Sequence, residues 1–494
     1  MSTFDVAVVG RGLVGSAAAK YLLRDGAAKV ALIGPSESSS EDVYGCHADE
    51  GRITRSLDVD AVWAELAMRS QRRYASIEAE SGVRFHAAVG CLAVGQKRGA
   101  YLEAVRRTAA RQSVRLEELD ERQLAERWPR LRLDATLFGD QDDLNDDDDL
   151  NDGDDLNDGG DGEARVTYAG LYERGAAGHV SPRKLLRAQL ALVAAAGGVV
   201  VDDVVTAVRK DGDSYAIFFR KGDAATTETI RARKVLVATN AFTNFFDLLP
   251  RRPKLALTTQ TAVKRRTFGF DKDDDDSSAS ASSASERRMP SVIVKAGSTA
   301  FGSKPHAALD ACYVLPPIEY DDGESYVKIG HGTFFERNLE TKEDVLAWYR
   351  GEGEDDRADL DALLERLFRD PSSVLKGPLR PGDVVRCVIP KTPTKRPYLH
   401  TFEEGLACCV GCNGYAAKSS DELGRLAASM LLSRSRSRSR LENNNNNNKK
   451  LVDDDDDDDN KLDDDDKKLD PRGSSSRWGP NIPDDAFTIV FDDE

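Results

Sequence analysis

The segment VVGRGLVGSAAA sets Gly10, Gly12 and Gly15 in a G-x-G-x-x-G pattern close to the start of the chain. Between a strand and a helix, the first glycine makes the turn, the second lets a diphosphate approach the backbone, and the third lets helix and strand touch. The N–H groups that open the helix then hold the phosphates, which is the chemistry of a dinucleotide site. The acid that usually ends the second strand is displaced: Gly34, Pro35 and Ser36 come before Glu37, the candidate for the ribose hydroxyls. In YGCHADEGRITRS, Arg52 and Arg55 stand three apart, and on a helical turn they would share a face able to attract an anion. Read alone, the pair is equally an ordinary solvated surface and His47 an ordinary structural histidine. Cys387 in VVRCVIPKT suits core packing, a metal ligand, a nucleophile or a cofactor tether, and its neighbours do not decide among these.

The elements that must position these residues alternate between strand and helix. DVAVVG reads as a buried strand, GSAAAKYLLRDG as a small-residue helix ended by Gly26, and KVALIG as a second strand, together one right-handed βαβ unit. WAELAMRSQRRYASIEAESG and SPRKLLRAQLALVAAAGG read as amphipathic helices. Strands are expected at VVVDDVVTAVRK, SYAIFFRKG, KVLVATNA, CYVLPPIEY, SYVKIGHG and GLACCVGC, and SDELGRLAASMLLS as a final helix. The class is α/β with an added, mainly antiparallel part.

At 494 residues the chain exceeds what one core serves, so two or more packed units are expected. The net charge of −17 is concentrated in tracts: 29 of the 86 acidic residues lie in 140–163, 271–276 and 453–466, and outside them 67 basic groups face 57 acidic ones. DDLNDDDDLNDGDDLNDGG and DKDDDDSSASASSASE cannot bury enough apolar surface to order themselves and read as solvated insertions. The former lacks the regular ligand pattern of a calcium loop. Ser-Arg, Asn and Asp runs from Ser433 make a disordered tail to about Ser476, followed by a short sticky strand at AFTIVF. Seven unevenly spaced cysteines argue against a disulfide framework and for a reducing compartment. No secretion signal, membrane span or peroxisomal address is expected, which places the protein in the cytoplasm.

In their order along the chain, the glycine fingerprint, HADEGRITR, YVKIGHG, RCVIPKTPT and GCNGYAAKSSDELG resemble the FAD-dependent amine oxidases of the D-amino-acid oxidase superfamily, in the monomeric sarcosine oxidase branch. The resemblance covers about 6–432. It implies a discontinuous FAD-binding Rossmann-like domain (1–95, 165–245, 380–432) and a mainly antiparallel substrate domain (96–139, 246–379). The acidic insertion (140–164), a disordered insertion (271–288) and a low-complexity tail (433–494) lie outside both. It further implies that Arg55 and Lys418 grip a substrate carboxylate, that Arg52 and His47 lie near the flavin, and that Lys328 promotes reoxidation by oxygen. His331 follows Lys328 by three positions where the family's active-site histidine follows by four. Gly411 and Gly414 form the late glycine loop, and Cys387 aligns with the cysteine that bonds covalently to the flavin. Ile389 stands where the family commonly has tyrosine. Cys408, Cys409 and Cys412 coincide with a family strand and loop, and no metal site is expected there.

The resemblance thus implies a monomeric oxidase of a secondary or N-methyl amino acid, with FAD as cofactor and oxygen as acceptor, binding no nucleic acid. A flavin dehydrogenase with another acceptor, a nicotinamide-dependent enzyme on the same glycine turn, and a scaffold acting through its acidic and Ser-Arg tracts are the alternatives.

Overall fold

The computed structural model describes residues 3–37, 42, 44–134, 167–220, 227–250, 254–268, 288–295, 311–331, 337–354, 357–373, 383–446, 476–479 and 481–492. The insertion at 140–164, and all of that at 271–288 except Arg288, lie outside them.

The expected βαβ unit opens the fold. Strand Thr3–Val9 runs parallel to Val30–Ile33 on one side and to Thr227–Val237 on the other, with Val9 in register with both Ile33 and Val237. Val6–Val9 are buried because layers pack on both faces of this sheet, and such a strand reads as an unbroken apolar run. Val199–Val201 adds to the far side of Val30–Ile33, and Leu406–Val410 pairs in parallel with Thr227–Val237. Three distant stretches of sequence therefore build one sheet.

Helix Leu13–Arg24 packs against the last helix, Ala416–Asn446, through small residues: a Cβ on Gly424 would lie 2.5 Å from Ala17 Cβ and 2.6 Å from the Ala18 nitrogen. Two adjacent carboxylates of that last helix, Asp421 and Glu422, are fully buried. Lys20 Nζ donates to Asp421 at 2.5 Å and the Tyr21 hydroxyl at 2.9 Å, while Arg73 of helix Ala61–Ser81 reaches both acids at 2.6 Å. The last helix continues to Asn446, past the expected start of a disordered tail at Ser433, because extending a formed helix avoids the cost of nucleation.

A second eight-stranded sheet runs in the order Val384–Lys391, Thr258–Phe268, Ser325–His331, Ala311–Glu319, Ser291–Lys295, Cys91–Gln96, Tyr168–Glu173, Leu116–Asp120. Every pairing is antiparallel except that of Cys91–Gln96 with Ser291–Lys295. Cys91–Gln96 and Tyr168–Glu173, assigned by the sequence division mainly to the nucleotide-binding unit, hydrogen-bond here instead. Alternation gives the sheet two characters. Val263, Val388, Val327, Ile329, Val314, Val292 and Val294 bury against Trp348, Leu360 and Leu364 of helices Lys342–Tyr349 and Arg357–Leu367. The opposite face carries Lys264, Cys387, Lys328, Tyr313 and Lys295.

No helix among the described residues is long and apolar enough to cross a membrane. The low-complexity label on 433–494 is too broad. Trp478, Ile482, Ala486 and Phe487 are buried in the core beside the first helix, and the Ala256 N–H donates to Val490 O at 3.0 Å, so part of AFTIVF pairs as the expected short strand does. Aromatic area, absent from the aspartate runs, is what docks this segment. Trp478→Ala should lower the unfolding free energy by about 3 kcal/mol in a denaturant titration, and an unchanged midpoint would show that the segment is not packed.

Candidate active site

A cavity of about 610 Å³ extends from the turn at Val9–Val14, past Pro35 and Glu37, to Cys387, Asn413 and Lys418. The glycine turn forms one end. Gly10 has φ +109°, and a Cβ there would lie 2.5 Å from Ala238 O, so the position demands glycine. Gly12 caps the helix without any side-chain hydrogen bond to its first turn, and a Cβ on it would meet no protein atom within 4 Å. Gly15 packs against the Gly10 carbonyl. Glu37 lines the cavity with its carboxylate held by Arg183, at 2.9 and 3.1 Å.

Arg52 and Arg55 do not share a helical face. Arg52 opens the short strand Arg52–Thr54, paired with Gly178–Val180, and Arg55 follows its end, so neither lies on a helical turn. Both still line the cavity, each bound to its own acid: Arg52 to Asp49, and Arg55 Nη1 to Asp58 at 2.8 Å.

Asp58 joins the two residues expected to grip a carboxylate. Its Oδ2 also accepts from Lys418 Nζ at 2.6 Å, and all three side chains are buried or nearly so. Burial pushes the Asp58 carboxyl up, but Arg55 and Lys418 outweigh it and hold it well below the usual carboxylate range. Burial, with Arg55 beside it, brings Lys418 down to about 8.

Lys328 is fully buried, and its ammonium is taken up by Asp49 Oδ2 at 2.9 Å and the Gly51 carbonyl. Burial, then the charges of Arg52 and Lys264, pull its pKa well below the usual lysine value. His47 lines the cavity and burial lowers its pKa, so its imidazole is neutral at pH 7. His331 ends its strand in register with Cys312.

Cys387 is buried on the cavity wall, in register with Ala262, its carbonyl held by Trp348 Nε1 at 2.9 Å. Cys46 Sγ lies 3.0 Å from the Val388 carbonyl and Cys387 Sγ 3.7 Å from the same oxygen, so the two sulfurs are neighbours. A hydrogen bond from Cys46, with the charges of Lys264 and Arg52, pulls the Cys387 thiol well below its usual value despite burial. Lys264 is only 5% exposed, and its Nζ has no hydrogen-bond partner among the described residues.

Gly411 and Gly414, both at positive φ, shape the turn before the last helix, and Asn240 Oδ1 accepts from the N–H groups of Gly411 and Cys412 at 3.1 Å. Gly414 lines the cavity. Cys408, Cys409 and Cys412 are buried in the cores on the two faces of the first sheet. Asp49, Asp58, Cys46, Lys264 and Lys295 join the site although no motif singles them out. Asp58, three residues after Arg55, and Asp49, three before Arg52, carry a local signal in their spacing.

Residues 5–430 match the family described as FAD dependent oxidoreductase. An N-methyl-L-tryptophan oxidase of Yersinia pestis (strain Pestoides F) is 29% identical over 127 residues, 26% of this chain and 33% of that protein. The match thus spans about a third of the length of the curated relatives. Among solved structures, NikD, an unusual amino acid oxidase essential for nikkomycin biosynthesis, superposes with a TM-score of 0.63 at 20% identity over 88% of this chain and 95% of that one. L-proline dehydrogenase from P. horikoshii gives 0.59 at 15% identity over 88% and 94%. At these identities the likeness is one of fold.

Asp58→Ala leaves two buried cations uncompensated and should cost about 3–5 kcal/mol of stability at pH 7. Because the folded carboxyl titrates below the unfolded one, that contribution is fully present above pH 4 and is lost as the pH falls further. Unfolding curves of both proteins should therefore converge in acid, and a gap that persists unchanged would exclude the ion pairs as its source.

Proposed function

The chain belongs to the FAD dependent oxidoreductase family, and on that premise we propose that it oxidises the carbon–nitrogen bond of a secondary or N-methyl amino acid, with oxygen as acceptor and hydrogen peroxide as product. The observation that carries this reading is the buried Arg55–Asp58–Lys418 array on the wall of a cavity whose other end is the glycine turn.

The residues present fit FAD. The space above Gly12 that a side chain would fill adjoins an uncapped helix N-terminus suited to a diphosphate, and Glu37 stands where ribose hydroxyls would be met. Bound FAD supplies the two-electron acceptor for the substrate C–H bond and relays the electrons to oxygen. The chain's task is binding and orientation. Arg55 and Lys418 hold the carboxylate by charge-assisted hydrogen bonds, and Asp58 keeps both cations in place and partly neutralised, so that binding stays reversible. Phe242, Phe246, Ile293 and Ile389 line the cavity with apolar surface that excludes water from the reacting carbon. His47, neutral at pH 7, offers an imidazole nitrogen to the proton of an arriving ammonium. Water hydrolyses the imine product. Arg52 and Lys328 add positive charge that favours electron-rich states beside them. Cys387, buried on the cavity wall with a lowered pKa, is the residue for covalent attachment.

The purified protein should be yellow, and its colour should stay with the acid-precipitated polypeptide and be lost from it in Cys387→Ser; a colourless protein that takes up no FAD would end the reading. Arg55→Ala should raise KM for the amino acid about 10- to 100-fold, as expected for a lost charged hydrogen bond. Affinity for the carboxylate should fall as the pH rises through about 8, where Lys418 loses its proton, and a flat KM profile from pH 7 to 9 would remove Lys418 from the clamp.

A further inference from the structure

Once the Arg55–Asp58–Lys418 array is assembled, two cations of the cavity wall, Lys264 and Lys295, have no carboxylate partner among the described residues, and Lys264 lies beside Cys387 rather than beside that array. Lys295 closes the strand Ser291–Lys295 opposite Ala311, on the sheet face that carries Ile293 and Tyr313, and lines the cavity. Its ammonium lies 5.0 Å from the centre of the Tyr101 ring, a cation–π contact that fixes its position. Among the described residues no carboxylate pairs with it. The nearby acids are otherwise engaged. Asp58 Oδ2 accepts from both Arg55 and Lys418, and Glu173 accepts from the backbone N–H groups of Ser56 and Leu57 at 2.9–3.1 Å.

Burial lowers the Lys295 pKa and Arg55 lowers it further, so two like charges are held close together in a partly desolvated pocket. Such an arrangement is costly unless an anion meets it. A single substrate carboxylate answers Arg55 and Lys418, which leaves Lys295 facing the remainder of the same molecule.

We propose that Lys295 is a specificity residue for a second acidic group, so that the preferred substrates are N-alkylated amino acids with a carboxylate side chain. This rests on the reading of the site as that of an amino acid oxidase. A neutral side chain of the same shape leaves the ammonium without a partner, and a polar site rejects an analogue that lacks the group it was built to meet.

The wild-type enzyme should oxidise N-methyl-aspartate with a kcat/KM at least tenfold above that for N-methyl-asparagine. Lys295→Met should bring the ratio below threefold and Lys295→Arg should keep it. A second readout needs no turnover: titration of the purified flavoprotein with succinate and with succinamate, followed by perturbation of flavin absorbance, should show at least tenfold tighter binding of succinate that Lys295→Met abolishes. If neither methylated amino acid is oxidised while the Lys295-dependent preference for succinate holds, the second subsite stands and the oxidase reading falls. Equal affinity for succinate and succinamate in the wild type, or a Lys295→Met variant that retains the preference, overturns the subsite.

Discussion

Two adjacent carboxylates without solvent, Asp421 and Glu422, set the register of the molecule. A buried carboxylate is tolerated only where cations and hydrogen bonds replace its water, and here Lys20, Tyr21, Arg69, Arg73 and Arg425 do so from the first helix, the second helix and the last helix itself. Sliding the last helix by one residue would strand both charges. Because Lys418 sits one turn earlier in that helix, the same constraint that fixes the helix delivers its ammonium to Asp58. The first helix, whose N-terminus borders the cavity, is held against this same last helix by the small-residue contact at Gly424 as well.

The second sheet complements this arrangement through register alone. Its face toward the helices is a run of valines and isoleucines, while the cavity face sets lysines, tyrosine and a thiol in rows. Cations therefore converge from three sources: the segment around Arg52 and Arg55, the sheet and the last helix. Asp49 and Asp58 limit their repulsion. Each acid serves two cations, so the cavity keeps positive charge while its wall remains stable.

Local chemistry was readable from sequence and tertiary chemistry was not. Gly10, Gly12 and Gly15 announce their turn because the requirement lies within a few residues, and the strands of the first sheet announce themselves as apolar runs. The arginines were read with a helical period, yet Arg52 belongs to a strand whose partner lies more than a hundred residues away. Lys328 and Lys418 can be singled out, but not the acids that hold them, since Lys328–Asp49 and Lys418–Asp58 pair residues hundreds of positions apart, whereas Arg52–Asp49 and Arg55–Asp58 are local pairs three residues apart. Lys264 and Lys295 gave no signal at all, because a missing partner is a property of the folded neighbourhood. Trp478 gives no local signal because the aspartate runs before it dominate the composition of that region, whereas Phe487 falls within the expected strand AFTIVF.

The first sheet draws its strands from 3–9, 30–33, 199–237 and 398–410. During synthesis, the opening strand therefore leaves the ribosome some four hundred residues before the strand that completes its sheet. Until Leu406–Val410 and the helix after it emerge, the nascent chain shows an apolar sheet edge and an unclosed nucleotide crevice. The crevice bordered by Gly12 and Lys418 is accordingly complete only once the strand Leu406–Val410 and the start of the helix after it have been made.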